Sequence, residues 1–254
     1  MDIARHIQSS ILPKNMELPG YEVAALMETA TEVGGDSYEI LATPLGNFIG
    51  IGDVSGHGLA SGITALIELA AFHGAVQTHM KYSQEPAPQV IYDIINKVLC
   101  EINRDRIGSD KFMTKILMVE RNGKIIHAGT HEIGLFYKTS DKKVHHLNEM
   151  VSHTGFLGLS EYIDSSESVG EFSMESGDVL LLYTDGLIEA KNREDFQFDL
   201  SRAEAILKRH CALPVKELLS TLRDTVFKWA QDGDLARHSG RLADDLTLVA
   251  IRRK

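Results

Sequence analysis

The sequence predicts an α+β layered domain, and three features point there. Strand-like segments follow one another in mostly hairpin order, and helix-like segments arrive in two consecutive pairs. Neither a repeat nor a linker long enough to divide the chain interrupts them. With 254 residues there is room for one large domain with a sizeable core, or for two small ones.

Taken in order, Ile3, Ile7 and Ile11 recur at four-residue spacing, which reads as a short amphipathic helix over 2–12 stopped by Pro13. Residues 1–13 are therefore set apart from a domain of 14–254; the helix either packs on the domain edge or continues an upstream signalling helix. After the Pro19-Gly20 turn, Tyr21, Val23, Ala25 and Met27 alternate as in a strand. Two more strands are expected at 37–42 and 47–54. A long Ala-, Leu- and Ile-rich helix follows from Leu59 to about Met80. Pro86 and Pro88 punctuate the chain, and Ile91, Ile94, Ile95, Val98 and Ile102 mark a second amphipathic helix.

The later half returns to strands. Lys111–Glu120 is β-like, and Asn122-Gly123 predicts a hairpin into Lys124–Ala128. Strands at 134–138 and 144–147 flank another turn, and 166–173 and 178–184 form a further pair around Ser176-Gly177. Helices are expected at 201–210 and at 215–230, the second with Pro214 at its start. Leu246–Arg252 supplies the last strand.

Composition narrows the function classes. A hydrophobic fraction of 43% and a charged fraction of 24% are ordinary for a globular protein. The net charge of -10, without a long basic run, disfavours nucleic acid as a partner and suits a cation binder. Cys100 and Cys211 show neither CxxC nor Cys/His metal spacing and read as packing residues. No stretch reaches the roughly 18–20 apolar residues of a membrane span and no signal sequence is evident, so a cytoplasmic location without a membrane partner is expected.

The chemistry lies in aspartates at the ends of apolar runs. Asp53 follows Phe48-Ile49-Gly50-Ile51-Gly52, Asp185 follows Val179–Thr184, and Asp244 precedes Leu246–Ile251. Asp36, in Val33-Gly34-Gly35-Asp36, is a fourth candidate. Carboxylates gathered at one sheet edge repel one another and lose hydration, so they need protons or a cation. Oxygen-only ligands suit Mg2+ or Mn2+ rather than zinc. Each motif alone reads more simply as a turn, a helix cap or a solvated pair.

Jointly and in this order, Val33-Gly34-Gly35-Asp36, Asp53-Val54-Ser55-Gly56-His57-Gly58, Tyr183-Thr184-Asp185-Gly186 and Asp244-Asp245-Leu246-Thr247 resemble the PPM superfamily of metal-dependent serine/threonine phosphatases, in its SpoIIE/RsbU-like branch. Ile7-Gln8, Ile11-Leu12-Pro13, Phe112-Met113-Thr114 and Ala128-Gly129 extend the resemblance over essentially the whole chain. It implies a four-layer α-β-β-α sandwich of two mainly antiparallel sheets, with a PPM-type phosphatase domain over 14–254. It also implies two Mn2+ or Mg2+ ions. Asp53 would bridge them, the carbonyl of Val54 would lie beside it, Asp185 and Asp244 would hold one ion, and Asp36 would lie on the side of the other. Asp53, Asp185 and Asp244 would act through metal-bound water, hydrolysing a phosphomonoester without a phosphoenzyme. His57 is assigned to the turn, and the general acid is left unassigned.

The match departs from the branch at Ser37-Tyr38-Glu39, where an aromatic and then Asp are usual. It departs again at Ala128-Gly129-Thr130-His131-Glu132, where the histidine is shifted by one and prolines are missing. No arginine stands out as a phosphate clamp. The branch implies a phosphorylated protein substrate, a STAS-domain anti-sigma-factor antagonist, and regulation by an upstream sensor domain or activator. The N-terminal helix would act there, alone or in a homodimer, through the helices after Asp53. The competing readings are a partner-binding regulatory domain with weak or no activity and, less well supported, a metal-dependent nuclease.

Overall fold

A computed structural model of the chain describes residues 12–13, 16–107, 110–132, 134–147, 155–161 and 169–254. The helix expected over 2–12 lies outside the described residues except for Leu12, as do residues 166–168 of the expected strand at 166–173. The strands are β1 (Tyr21–Glu28), β2 (Ser37–Thr43), β3 (Gly46–Val54), β4 (Met113–Arg121), β5 (Lys124–Thr130), β6 (Leu135–Lys138), β7 (Lys143–His146), β8 (Val169–Ser173), β9 (Val179–Tyr183) and β10 (Leu246–Arg253). The α-helices are α1 (Leu59–Tyr82), α2 (Pro88–Ile102), α3 (Leu200–His210), α4 (Val215–Ala230) and the short α5 (Asp234–Arg237).

Two compact units form, each from separated stretches of chain. The first draws mainly on Val33–His131 and Glu149–Ser173, the second on Met16–Glu32, Glu132–Asn148 and Met174–Lys254. In the first, the sheet runs β2-β3-β4-β5-β8, antiparallel throughout. Phe48 and Val54 of β3 and Met113, Leu117 and Val119 of β4 share a core with Phe72 and Val76 of α1 and Ile91, Ile95 and Leu99 of α2. This is the alternation of a sheet with one face under helices. The buried positions of α1, among them Ala65, Leu69, Phe72 and Val76, recur every three to four residues and make its packing stripe.

One part of that stripe is ionic. Glu68 of α1 and Lys115 of β4 are both fully buried and pair at 2.8 Å. Ser37 donates to the other Glu68 oxygen (3.1 Å), and His73 lies 3.4 Å from the buried Glu39 of β2. Register explains how a lysine fits there. Ser37 and Lys115 both stand opposite Gly52, and Glu39 stands opposite Gly50, so the two glycines face the same layer. A side chain at Gly50 would come within 3.4 Å of Lys115 Cε, and one at Gly52 within 3.1 Å of its Cβ. The alternating glycines of Ile49-Gly50-Ile51-Gly52 thus clear a slot for the Lys115 stem. Burial pushes the Glu39 carboxyl up, and its hydrogen bond pushes His73 up.

The second unit carries the sheet β1-β10-β9-β6-β7, again antiparallel. Leu181 and Tyr183 of β9 and Leu248 and Ala250 of β10 pack with Leu207 of α3 and Leu218, Leu222 and Val226 of α4. One expectation is overturned here. The segments around Ser176-Gly177 do not pair with each other: β8 pairs with β5, while β9 lies between β10 and β6. The turn is tied elsewhere. Gly177, at φ 89, donates to the carbonyl of Arg253, and the Asp178 carboxylate accepts from the Thr139 N–H, the Thr139 hydroxyl and the Glu175 N–H.

By length and composition α1 is apolar enough to cross a membrane, which the sequence reading did not expect; half of its most apolar window is buried in the protein. Cys100 and Cys211 are both free thiols, Cys100 buried.

The buried pair makes a test of the first unit. Lys115→Met, which strands the Glu68 carboxylate, is expected to cost about 3–5 kcal/mol in urea unfolding. Adding Glu68→Leu should restore most of that loss. A single variant within about 0.5 kcal/mol of wild type would show the pair to be dispensable.

Candidate functional site

The sequence-selected aspartates divide two and two between the units. Asp36 and Asp53 belong to the first, Asp185 and Asp244 to the second. Within each unit, among the described residues, no three Asp, Glu, His or Cys side chains converge on a single metal position.

In the first unit Asp53 stands one residue before the end of β3, half-buried, opposite Thr114 of β4. Asp36 is buried immediately before β2. The chain at Gly34-Gly35 runs against the end of β3, and the Val54 N–H donates to the Gly35 carbonyl (3.2 Å). A Cβ on Gly35 would lie 2.8 Å from the Val54 carbonyl oxygen, 3.2 Å from Asp53 Oδ1 and 3.2 Å from the Gly56 carbonyl oxygen. Three oxygens thus crowd the place where any other residue would put a side chain. An oxygen-only donor set of this kind fits a hard divalent cation.

Beyond Asp53 the chain turns through Gly56 (φ 73) and Gly58 (φ 90), and α1 begins. His57 is exposed at this turn, in keeping with its assignment there. Two neighbours were not picked out from sequence. The Lys111 ammonium donates to the Ser55 carbonyl (2.8 Å), close enough that a Cβ on Gly56 would meet it at 2.8 Å. The Thr114 hydroxyl lies 2.8 Å from Nδ1 of the buried His131 and 3.5 Å from the Asp53 carbonyl oxygen. The shifted histidine of Ala128-Gly129-Thr130-His131 is therefore linked through Thr114 to the backbone of Asp53. Its signal in the sequence was Thr114 itself, in a motif noted for resemblance and given no role.

In the second unit Asp185 opens a single 3-10 turn, Asp185–Leu187, at the end of β9. The turn is locked to the start of β10: Thr184 N–H donates to the Thr247 carbonyl (3.1 Å), and Thr247 N–H to the Thr184 hydroxyl (2.9 Å). Gly186 lies so near β10 that a Cβ would stand 2.0 Å from the Asp245 carbonyl oxygen. Asp245 is buried and takes the Ala30 N–H at 2.7 Å, a structural tie, whereas Asp244 is half-buried and accepts its neighbour's N–H at 2.8 Å. Of the two, Asp245 is thus tied into the fold and Asp244 is partly exposed.

Burial first, and then the carboxylates of Asp244, Glu189 and Glu132, push Asp185 up to about 6, against a lowering bond from the Gly186 N–H. Glu132 is pushed up as well, by burial and by Glu189. Glu132 and Glu189 were not candidates, although Glu189 follows Asp185 by four residues. The second unit holds more negative charge than its surroundings compensate, which again suits a divalent cation.

Because the Asp185 value is raised on folding, its charge opposes folding once pH exceeds about 6, and the penalty fades as pH falls toward the unfolded value of 3.8. In chelator at pH 7.5, Asp185→Asn should stabilise the protein by on the order of 1 kcal/mol, after discounting for solvent screening at a partly exposed group. At pH 4 the gain should vanish; urea unfolding at both pH values reads it, and an equal gain at each would contradict the assignment. Gly35→Ala should displace the Val54 carbonyl and Asp53 together and lower Mn2+ affinity at least tenfold by calorimetry; unchanged affinity would remove Gly35 from the site.

The sequence model of the Stage II sporulation protein E (SpoIIE) family matches residues 46–254. The chain is 22% identical, over an alignment of 262 residues, to phosphoserine phosphatase RsbU of Bacillus subtilis (strain 168), covering 100% of this chain and 70% of that protein. The SiaA PP2C domain of Pseudomonas aeruginosa has the same fold, with a TM-score of 0.80, 22% identity and coverage of 100% of this chain and 95% of that one. The catalytic domain of the serine/threonine protein phosphatase PstP, solved in complex with two manganese ions, matches at a TM-score of 0.63 and 13% identity, covering 91% of this chain and 97% of that one. These matches agree with the α+β class, two antiparallel sheets with helices, expected from the sequence. The chain belongs to the Stage II sporulation protein E (SpoIIE) family and is a PPM-type protein phosphatase.

Proposed function

We propose that this phosphatase hydrolyses phosphoserine or phosphothreonine in a protein substrate, using two Mn2+ or Mg2+ ions held by Asp36, Asp53, Asp185, Asp244 and the Val54 carbonyl. The observation that carries this reading is the pair of backbone contacts at Gly35 and Gly186, each fixing a strand-end aspartate beside surplus oxygen or negative charge. When bound, such ions supply a water acidic enough to attack phosphorus near neutral pH and positive charge for the phosphoryl oxygens. Asp36, Asp53 and the Val54 carbonyl, together with Asp185 and Asp244, would hold these ions.

The remaining residues position and neutralise. Thr114, opposite Asp53 in the ladder and bonded to His131, holds the end of β3 in place. Lys111, anchored on the Ser55 carbonyl, puts a cation beside the Asp53 turn and is our candidate for the positive charge that meets substrate phosphate. The leaving-group acid is unassigned.

The substrate we favour is a phosphorylated STAS-type anti-sigma-factor antagonist in a partner-switching pathway, with an upstream sensor domain or activator controlling activity through the segment 1–13. The support is the B. subtilis relative named phosphoserine phosphatase RsbU and the fold match to RsbU and RsbW domains of a Mycobacterium tuberculosis protein. Residues 14–254 serve as the phosphatase domain, and a cytoplasmic location follows from this reading. The alternative, a regulatory domain of this fold with little activity, draws on the altered stretch Thr130–Gly134.

Release of phosphate from a phosphoserine protein should require Mn2+ or Mg2+ and fall at least a hundredfold in Asp185→Ala. Wild type no faster than Asp185→Ala with either ion would leave the regulatory alternative standing. Lys111→Met should raise KM at least fivefold with a smaller change in kcat; a loss confined to kcat would exclude it from holding phosphate.

A further inference from the structure

The second unit has a cleft of about 500 Å³ that the phosphatase chemistry does not use. Phe198, Ile206 and Trp229 give it an apolar floor, and Arg202, Arg209 and Lys228 line it without any carboxylate. In a chain of net charge -10 such a run of cations is conspicuous. Among the described residues none of the three is in an ion pair, whereas Arg223, Arg237 and Arg252 elsewhere in the unit all are.

The cleft is rigidly made. Phe198 meets Trp229 edge-on at 6.2 Å, and the Arg202 guanidinium lies 4.2 Å over the Trp229 ring while donating to the Phe198 carbonyl (2.8 Å). The Trp229 N–H donates to the Phe196 carbonyl (3.3 Å), and the Phe196 ring remains 63% exposed beside it. Asn192 fixes the loop below by accepting the N–H groups of Glu194 and Phe196, both at 3.0 Å. A preformed apolar cleft lined with Trp and Arg has the make-up of an interaction hot spot.

Charge and spacing select the occupant. Arg202 and Arg209 are seven residues apart on α3, two turns and roughly 10 Å along the axis, and Lys228 stands on α4. A small monoanion would answer one cation and leave the others. A helix with carboxylates two turns apart and an apolar stripe between them answers all three and fills the floor.

We propose that this cleft is the docking site for an acidic amphipathic helical segment of a partner protein, with an aliphatic or aromatic side chain in the cleft and carboxylates on Arg202, Arg209 and Lys228. Trp229 is the only tryptophan in the chain, so its emission reports the cleft alone. The test titrates the full chain with a synthetic helical peptide carrying leucines at i, i+3, i+4 and i+7 and glutamates on the flanks. The glutamate peptide should give a saturable change in Trp229 emission that weakens with salt. Arg209→Glu and Lys228→Glu, both at exposed positions outside the catalytic machinery, should each weaken it at least tenfold while phosphatase activity stays at the wild-type level. The same peptide with lysine in place of glutamate should bind at least tenfold more weakly. A flat titration to millimolar peptide overturns the proposal, as does an equal response to the lysine peptide or indifference to both charge reversals. It fails too if only vesicles of anionic phospholipid change the emission, or if sedimentation shows the cleft already closed by a second copy of the chain.

Discussion

Carboxylates that repel one another stand in fixed places here because backbone is packed against them too closely to admit a side chain. At Gly35 the chain lies against the Val54 and Gly56 carbonyls and the Asp53 carboxylate; at Gly186 it lies against the Asp245 carbonyl. Strand pairing carries each contact: β3 is held between β2 and β4, and β10 between β1 and β9. The sheets can therefore bear an electrostatic cost at their ends that no isolated loop would hold. Asp185, pushed up to about 6 by burial and by its acidic neighbours, is where that cost falls.

A second buried charge system lies under α1. Lys115 reaches Glu68 across the slot left by Gly50 and Gly52, and Ser37, Glu39 and His73 complete the layer. Such a pair contributes little net stability against an apolar replacement, but it is costly to leave half-made. The pair also ties α1 to β4, with both side chains fully buried. The same helix starts just after the Asp53 turn, so its seat and that turn are fixed by one stretch of chain.

Much of this was legible in the sequence, because hydrophobic period and turn residues are local signals. All ten described strands and the four longer helices stand close to where alternation, prolines and Asn122-Gly123 place them. The segments around Ser176-Gly177 were misread as a pair because adjacency along the chain was taken for pairing; which strand accepts β9 depends on β10, far away in sequence. At the site, Asp53, Asp185 and Asp244 stand out at the ends of apolar runs, and Asp36 through its Gly-Gly-Asp motif. Lys111, Thr114 with His131, Glu132 and Glu189 do not, since their relevance comes from register and through-space charge. Lys115 and Glu68 look like ordinary solvated residues until the two neighbouring glycines are seen to face them. The apolar content of α1 was likewise underestimated, because Glu68 and its other polar residues interrupt the run without making the helix polar.

The order of strands in the second sheet bears on how the chain is made. β1 pairs along its whole length with β10, from Tyr21 opposite Arg253 to Glu28 opposite Leu246, and β10 also supplies the partner of β9. Until β10 leaves the ribosome, β1 and β9 each present an unpaired edge, whereas every strand of the first sheet is available once Ser173 has been added. Until β10 is made, a nascent chain therefore carries one completable sheet and one gapped sheet. Open strands of this kind recruit other chains. A nonsense mutation between Tyr183 and Leu246 would leave that gap permanent, with the edges of β1 and β9 open to other chains.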